Sequence, residues 1–249
     1  SAAIEAVSLV ENENTAVIDT STAHRVSADW TYGFPELKGQ KEKIISSKRI
    51  ANPGCHASGF ISLVAPLVQS GIINSQAELT GFSITGYSGG GKKMIAEYEN
   101  SERDFLFEAP RMYSLTQNHK HLPEISKICG LDKEPVFCPI VAAYYAGMEV
   151  TVPVFASQIN GTADDIKKIY SDYYKEGLVK FVESEDENGF LSACTFEDRD
   201  DMQITVCGNN ERILLISRFD NLGKGASGSA IQNMNLLLGT DETKGLNVL

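Results

Sequence analysis

Apolar residues recur at helical spacing near the start of the chain, where Ile4, Val7, Leu9 and Val10 predict a helix. The block TAVIDT at 15–20 reads as a short buried strand ending in a polar turn. Residues 21–37 keep neither period, and Gly33 and Pro35 break them. A basic segment at 38–49 leads to Ile50-Ala51, and Asn52-Pro53-Gly54-Cys55 opens an apolar stretch at 57–68 that ends at Gly71. Pro and Gly before such a stretch and Gly after it are start and stop signals of a helix. Residues 79–85 then read as a strand, 86–91 as a glycine loop and 92–99 as a helix.

Further along, Ile125 and Ile128 place a helix at about 123–129. Residues 136–142 and 149–158 read as strands, and 163–174 as a helix with Thr162 or Asp164 near its cap. Two strands, 202–206 and 213–217, flank a hairpin-like turn at Gly208-Asn209-Asn210. A glycine-rich run at 220–228 leads into a helix over 230–238 that ends at Gly239. Strands and helices mix without strict alternation, which predicts α/β elements joined to an α+β sheet.

Composition narrows the partners. The chain has 249 residues, 22 Lys plus Arg and 33 Asp plus Glu, for a net charge of −11. That argues against nucleic acid or an anionic membrane as the main partner, and leaves room for a local basic pocket. The longest apolar run, 60–68, is broken by Ser62 and Pro66 and falls short of the roughly 18 residues of a membrane span. Five cysteines without a CxxC pair fit free thiols in a reducing, cytoplasmic setting. The acidic segments 183–187 and 197–201 are expected to be solvated loops. With no initiator Met and a helix already under way, the chain is expected to start inside an element.

Four stretches could carry chemistry. Gly86-Tyr87-Ser88-Gly89-Gly90-Gly91-Lys92-Lys93 nearly fits a phosphate loop, but Lys93 stands where a hydroxyl would hold magnesium. The same stretch contains GxSxG, so Ser88 with Glu108 and His119 or His121 would be a serine hydrolase alternative. A backbone amide nest for phosphate, built around Gly86, Gly89 and Gly90, is the reading preferred here. Cys55 begins a predicted helix, where unsatisfied amides and the dipole should lower its thiol pKa. Cys129, Cys138, Cys194 and Cys207 sit in apolar or strand contexts and read as structural. In His119-Lys120-His121-Leu122-Pro123-Glu124, extended backbone would point both imidazoles to one side, a general acid/base complement to a Cys nucleophile. Lastly, Gly223, Gly225 and Gly228 with Lys224 precede the final helix, where backbone can approach an anion.

Together these stretches resemble one family, the N-acetyl-γ-glutamyl-phosphate reductases of arginine biosynthesis. The matching blocks are ANPGCHASG (51–59), TGYSGGGKKMIAEYE (85–99), HKHLPEI (119–125) and DNLGKGASGSAIQNMNLLLG (220–239). DTSTAHR (19–25) and WTYGFPEL (30–37) resemble the shorter of the family's two sequence types. His56 stands where the family commonly has Tyr.

The resemblance implies the phosphorylating semialdehyde dehydrogenase architecture. A partial Rossmann domain lacking its first βαβ unit (1–50 and 222–249) would join a glyceraldehyde-3-phosphate-dehydrogenase-like catalytic and dimerisation domain with a mixed sheet (51–221). The family opens with a strand and a GxxGxxG turn, so roughly sixty residues are expected to be missing, and this chain alone is expected not to turn over NADPH.

The implied reaction is NADPH-dependent reduction of N-acetyl-γ-glutamyl phosphate to the semialdehyde with release of phosphate. An aminoadipyl phosphate reductase of lysine synthesis is the sibling alternative. By the same resemblance Cys55 is the nucleophile and His121 the acid/base, with His119, Tyr113 and Glu124 relaying or orienting. Ser21, Arg25, Asn52 and Ser88 are candidates for substrate or phosphate, and the two glycine segments for the cofactor. No metal is required, the partner is a small acyl phosphate, and a homodimer or homotetramer is expected.

Overall fold

The computed structural model describes residues 2–183 and 186–248, so positions 184 and 185 of the first acidic segment lie outside the described residues. Helix α1 (Ala2–Ser8) precedes β1 (Val17–Asp19), β2 (Thr31–Tyr32), α2 (Gln40–Ser46) and β3 (Arg49–Ala51). The three strands form a parallel sheet in the order β1-β3-β2. The basic segment at 38–49 thus holds a helix where the apolar pattern predicts none. Only Ile44 of α2 is buried, because the helix lies on the surface with a one-residue anchor.

The next elements are α3 (Cys55–Gln69), β4 (Thr80–Gly86), α4 (Gly91–Glu99), β5 (Arg111–Met112), α5 (Leu122–Cys129), β6 (Val136–Ala142) and β7 (Met148–Phe155). They are followed by α6 (Ala163–Tyr173), β8 (Val179–Phe181), β9 (Met202–Gly208), β10 (Arg212–Phe219) and α7 (Gly228–Leu237). A seven-stranded sheet runs β5-β6-β4-β7-β10-β9-β8. Its pairs β4/β6 and β8/β9 are parallel and the rest antiparallel. This is the mixed sheet that the family resemblance implies. Residues 156–158, expected to continue β7, turn into a short 3-10 segment instead. No helix among the described residues is long and apolar enough to cross a membrane.

Helix α3 is the centre of the core. Phe60, Ile61, Leu63, Val64 and Leu67 are completely buried against β7, β10, α5 and α6. At ~1.5–3 kcal/mol each, these five side chains stabilise the fold by about 10 kcal/mol before conformational entropy is counted. Gly59 lets the helix approach the sheet, since a Cβ there would stand 2.5 Å from a Val150 methyl. Pro66 sits inside α3 and has no N–H to give the Ser62 carbonyl. The Tyr174 hydroxyl donates to that carbonyl at 2.6 Å, so the lost helical bond is replaced from α6's C-cap. The Thr162 capping box at the other end of α6 matches the expected cap.

A small second core, Ile44, Ile50 and Leu236, joins α2, β3 and α7, so the last helix returns to the three-stranded sheet. Asn233 of α7 donates to the Gly33 carbonyl at 2.9 Å, which fixes that return. One face of the large sheet is covered by α3, α5 and α6. The strands turn Phe82, Val136, Phe155 and Leu214 outward, and all four are exposed. The acidic segments are less free than expected: buried Asp201 pairs with Arg199, and Glu187 with completely buried Arg218 at 2.6 Å. Cys207, expected to be structural, is exposed near the end of β9.

Candidate active site

Strand β3 ends at Ala51, and the loop 52–54 places Cys55 at the first turn of α3. Gly54 is the N-cap and carries no capping side chain. Its amide donates instead to Glu124 Oε1 at 2.9 Å. A Cβ on Gly54 would stand 2.4 Å from Arg25 Nη1 and 2.4 Å from His121 Nε2, so only glycine lets these groups close around the start of the helix.

Glu124 is 1 % exposed and organises this node. It also accepts from Tyr32 Oη at 2.6 Å and from Arg25 Nη1 at 3.2 Å. Arg25 donates further to the carbonyls of Asn52 and Thr20, both at 2.9 Å. It is therefore a buried tie between three loops rather than an open phosphate donor. Burial pushes the Glu124 carboxyl up, while Arg25, Tyr32 and the Gly54 amide pull it back. Asn52 is likewise engaged: it donates to the Ala226 carbonyl at 2.9 Å and accepts from Asn233 at 3.3 Å. Ser21 caps its own turn, its hydroxyl donating to Asp19 at 2.8 Å.

Cys55 opens into a cleft of about 130 Å³ that it shares with His56, Thr85, Tyr113, His119, Lys120 and His121. Gly86, Gly89 and Gly90 line the same cleft at the start of α4. His119 and His121 lie in a turn leading into α5, not in extended backbone, with ring centroids 4.8 Å apart. His56, noted in the sequence only as a departure from the family the chain resembles, is the third ring, 5.4 Å from His119 and 5.6 Å from His121. Its Nδ1 lies 2.6 Å from Ser83 Oγ and its Nε2 2.7 Å from Tyr113 Oη. Tyr113 therefore acts on His56. The adjacency of Cys55 and His56 was the available signal; its partners lie 27 and 57 residues away.

Burial governs the charge states. It lowers His56 to about 3 and His119 to about 4, with Lys120 adding to both. His121 falls well below its usual range, by burial and then by His56 and Arg25. All three rings are neutral near pH 7. The Cys55 thiol does not follow the helix-terminus expectation: burial pushes it up, and the His56 amide, Lys120 and Arg25 only partly offset this. A thiol of this kind needs a neutral base at hand. Among the described residues His121 Nδ1 is buried with no hydrogen-bond partner, which leaves that nitrogen available.

The glycine segments divide in their use. The Gly86 amide is taken by Gly147 O at 3.0 Å, whereas Gly89 and Gly90 are exposed at the mouth of α4. Residues 223–227 form a π turn in which Gly223 and Gly225 donate to Asp220 at 3.3 and 2.9 Å. A Cβ at Gly225 would stand 3.0 Å from Cys55 Cβ, and one at Gly228 would stand 2.2 Å from Asp200 Oδ1. These glycines thus serve close packing against the nucleophile and the 198–201 loop. Lys224 is completely buried and paired with Glu36 at 2.7 Å. The hydrolase arrangement is not assembled: Ser88 Oγ accepts from Asn221 at 2.9 Å, and Glu108 pairs with Arg103 at the surface.

The site is thus a thiol on a helix terminus with neutral imidazoles around it and a mixed sheet beneath, and comparison with known proteins gives its class, the semialdehyde dehydrogenases. Residues 55–221 match the family described as semialdehyde dehydrogenase, dimerisation domain. Aspartate semialdehyde dehydrogenase II from Vibrio cholerae has the same fold, with a TM-score of 0.68 at 18 % identity over 90 % of this chain and 72 % of that one. The aspartate semialdehyde dehydrogenase of Francisella tularensis gives 0.65 at 14 % identity over 89 % and 74 %. In sequence the chain is 42 % identical to the N-acetyl-γ-glutamyl-phosphate reductases of Brucella ovis and Brucella canis, over 94 % of its length and 79 % of theirs. Within that class the chain belongs to the N-acetyl-γ-glutamyl-phosphate reductase family.

Proposed function

We propose that the protein reduces N-acetyl-γ-glutamyl phosphate to N-acetylglutamate semialdehyde and releases phosphate. The observation that carries the reading is Cys55 at the start of α3, sharing one cleft with three neutral histidines and the N-terminus of α4. His121 takes the thiol proton as Sγ attacks the acyl carbon. The S–C bond forms, the C–O bond to phosphate breaks, and the exposed backbone at Gly89 and Gly90 faces the leaving phosphate. His56, held by Ser83 and Tyr113, and His119 orient the imidazole cluster. His121 returns its proton as the aldehyde leaves and Cys55 is regenerated.

The residues present fit the nicotinamide end of a cofactor. The carboxyl ends of β1, β3 and β2 all point toward the loop that carries Cys55: Asn52 N donates to Asp19 O at 2.8 Å and Gly33 N to Ala51 O at 2.8 Å. Ligands of open parallel sheets bind outside such strand ends. The loops at 20–25 and 52–54 would hold that end. When bound, the cofactor supplies the hydride that reduces the Cys55-bound acyl group. NADP is the form proposed.

Residues 1–50 and 222–249 are read as the cofactor-binding part and 51–221 as the catalytic part. A homodimer or homotetramer, built on the open face with Phe82 and Leu214, and a cytoplasmic location complete the reading. The test is release of phosphate from N-acetyl-γ-glutamyl phosphate, the half-reaction that needs no cofactor. It should be abolished by Cys55→Ser; release that survives that change would refute the proposal.

A further inference from the structure

The substrate proposed above is an anion, and the chain that must bind it carries a net charge of −11. Among the described residues that line the Cys55 cleft, Lys120 is the one with a full charge. The three imidazoles are neutral because they are buried. Arg25, behind the cleft wall, is 8 % exposed and already paired with Glu124. Lys120 differs from Arg25 in both respects. It is exposed, and among the described residues no carboxylate pairs with it. Its neighbours in sequence, His119 and His121, line the same cleft.

From this geometry we infer that Lys120 is the cation that receives the phosphoryl end of the acyl phosphate, on the same cleft as the exposed Gly89 and Gly90. The inference rests on the acyl-phosphate reading and adds a residue to it. The phosphoryl oxygen is bonded directly to the carbon that Sγ attacks, whereas the substrate's carboxylate lies at the far end of its chain. A cation close to the sulfur therefore meets the phosphate. The positive field that reaches Cys55, His56, His119 and His121 is consistent with that closeness. Glycine amides position an oxyanion but hold no net charge, so the full charge on this cleft comes from Lys120.

The test is alkylation of Cys55, read by peptide mapping, with two reagents of similar size: neutral iodoacetamide and anionic iodoacetate. Lys120→Gln should lower the iodoacetate-to-iodoacetamide rate ratio by about three- to tenfold at low salt, and Lys120→Arg should retain it. Inorganic phosphate should slow alkylation of the wild type, and Lys120→Gln should need several-fold more of it. A merely structural role would move both reagents together. Cys55 labelled with an unchanged ratio and unchanged phosphate protection would overturn the inference while leaving the nucleophile in place. Cys55 inert to both reagents in the wild type would overturn the acyl-phosphate reading, and the inference with it.

Discussion

Lowering the pH from 7 to 5 should weaken the folded state through its histidine cluster. In the folded protein His56 titrates at about 3 and His119 at about 4, chiefly because burial disfavours the charged ring. The same rings titrate near 6.5 in an unfolded chain. As the pH falls, the unfolded chain takes up protons first. Stability from these rings is therefore full above about pH 6.5 and is lost as pH falls toward the folded values. Integrated between pH 7 and 5, His56 accounts for about 2 kcal/mol. His119, 9 % exposed against 4 % for His56, is partly screened and adds about 1 kcal/mol. His121 contributes in the same direction.

Urea unfolding followed by the fluorescence of Trp30, at fixed protein concentration and at pH 7, 6 and 5, measures the loss. The decisive comparison is with His56→Asn. That variant loses the bonds to Ser83 and Tyr113 and should be weaker at pH 7. Its further loss between pH 7 and 5 should be about 2 kcal/mol smaller than that of the wild type. Contributions from the carboxylates are common to both proteins and cancel in the comparison. Identical pH dependence in the two would refute the claim that His56 is buried neutral.

Two other outcomes follow from the site. Gly54→Ala should cost about 1–3 kcal/mol in thermal or urea unfolding, because the new methyl meets Arg25 and His121, and Arg25 is pinned by three hydrogen bonds and cannot yield. Wild-type stability in that variant would mean the closure around Gly54 is loose. His121→Asn should slow acylation of Cys55 by about 10²–10⁴-fold, and His119→Asn by clearly less. The reverse order in a stopped-flow phosphate-release assay would move the base to His119.

Local signals in the chain were legible where one segment settles its own structure. Pro53-Gly54 and Gly71 bracket α3, Gly208-Asn209-Asn210 turns β9 into β10, and Thr162 caps α6 through Asp165. Helix α2 was not legible, since one buried isoleucine among charged residues leaves no stripe. Strand β8 has three residues and only one of them is fully buried, too short for a period. In the site, Cys55, His119 and His121 could be named from residue type and spacing. Their support could not: Arg25 and Glu124 meet across 99 residues of sequence, and Tyr32 and Glu124 across 92. The same limit explains Cys55. A helix terminus is visible in a sequence, but the burial that outweighs it is a property of the folded core.

The central claim is that Cys55 attacks an acyl phosphate, and single-turnover acylation tests it without any cofactor. The protein is mixed with N-acetyl-γ-glutamyl phosphate, released phosphate is counted against chains, and the modified residue is located by mass spectrometry. The account predicts stoichiometric phosphate release with an acyl adduct on Cys55, and neither in Cys55→Ser. An adduct on Ser88 or Cys207, or release that persists in Cys55→Ser, would contradict it.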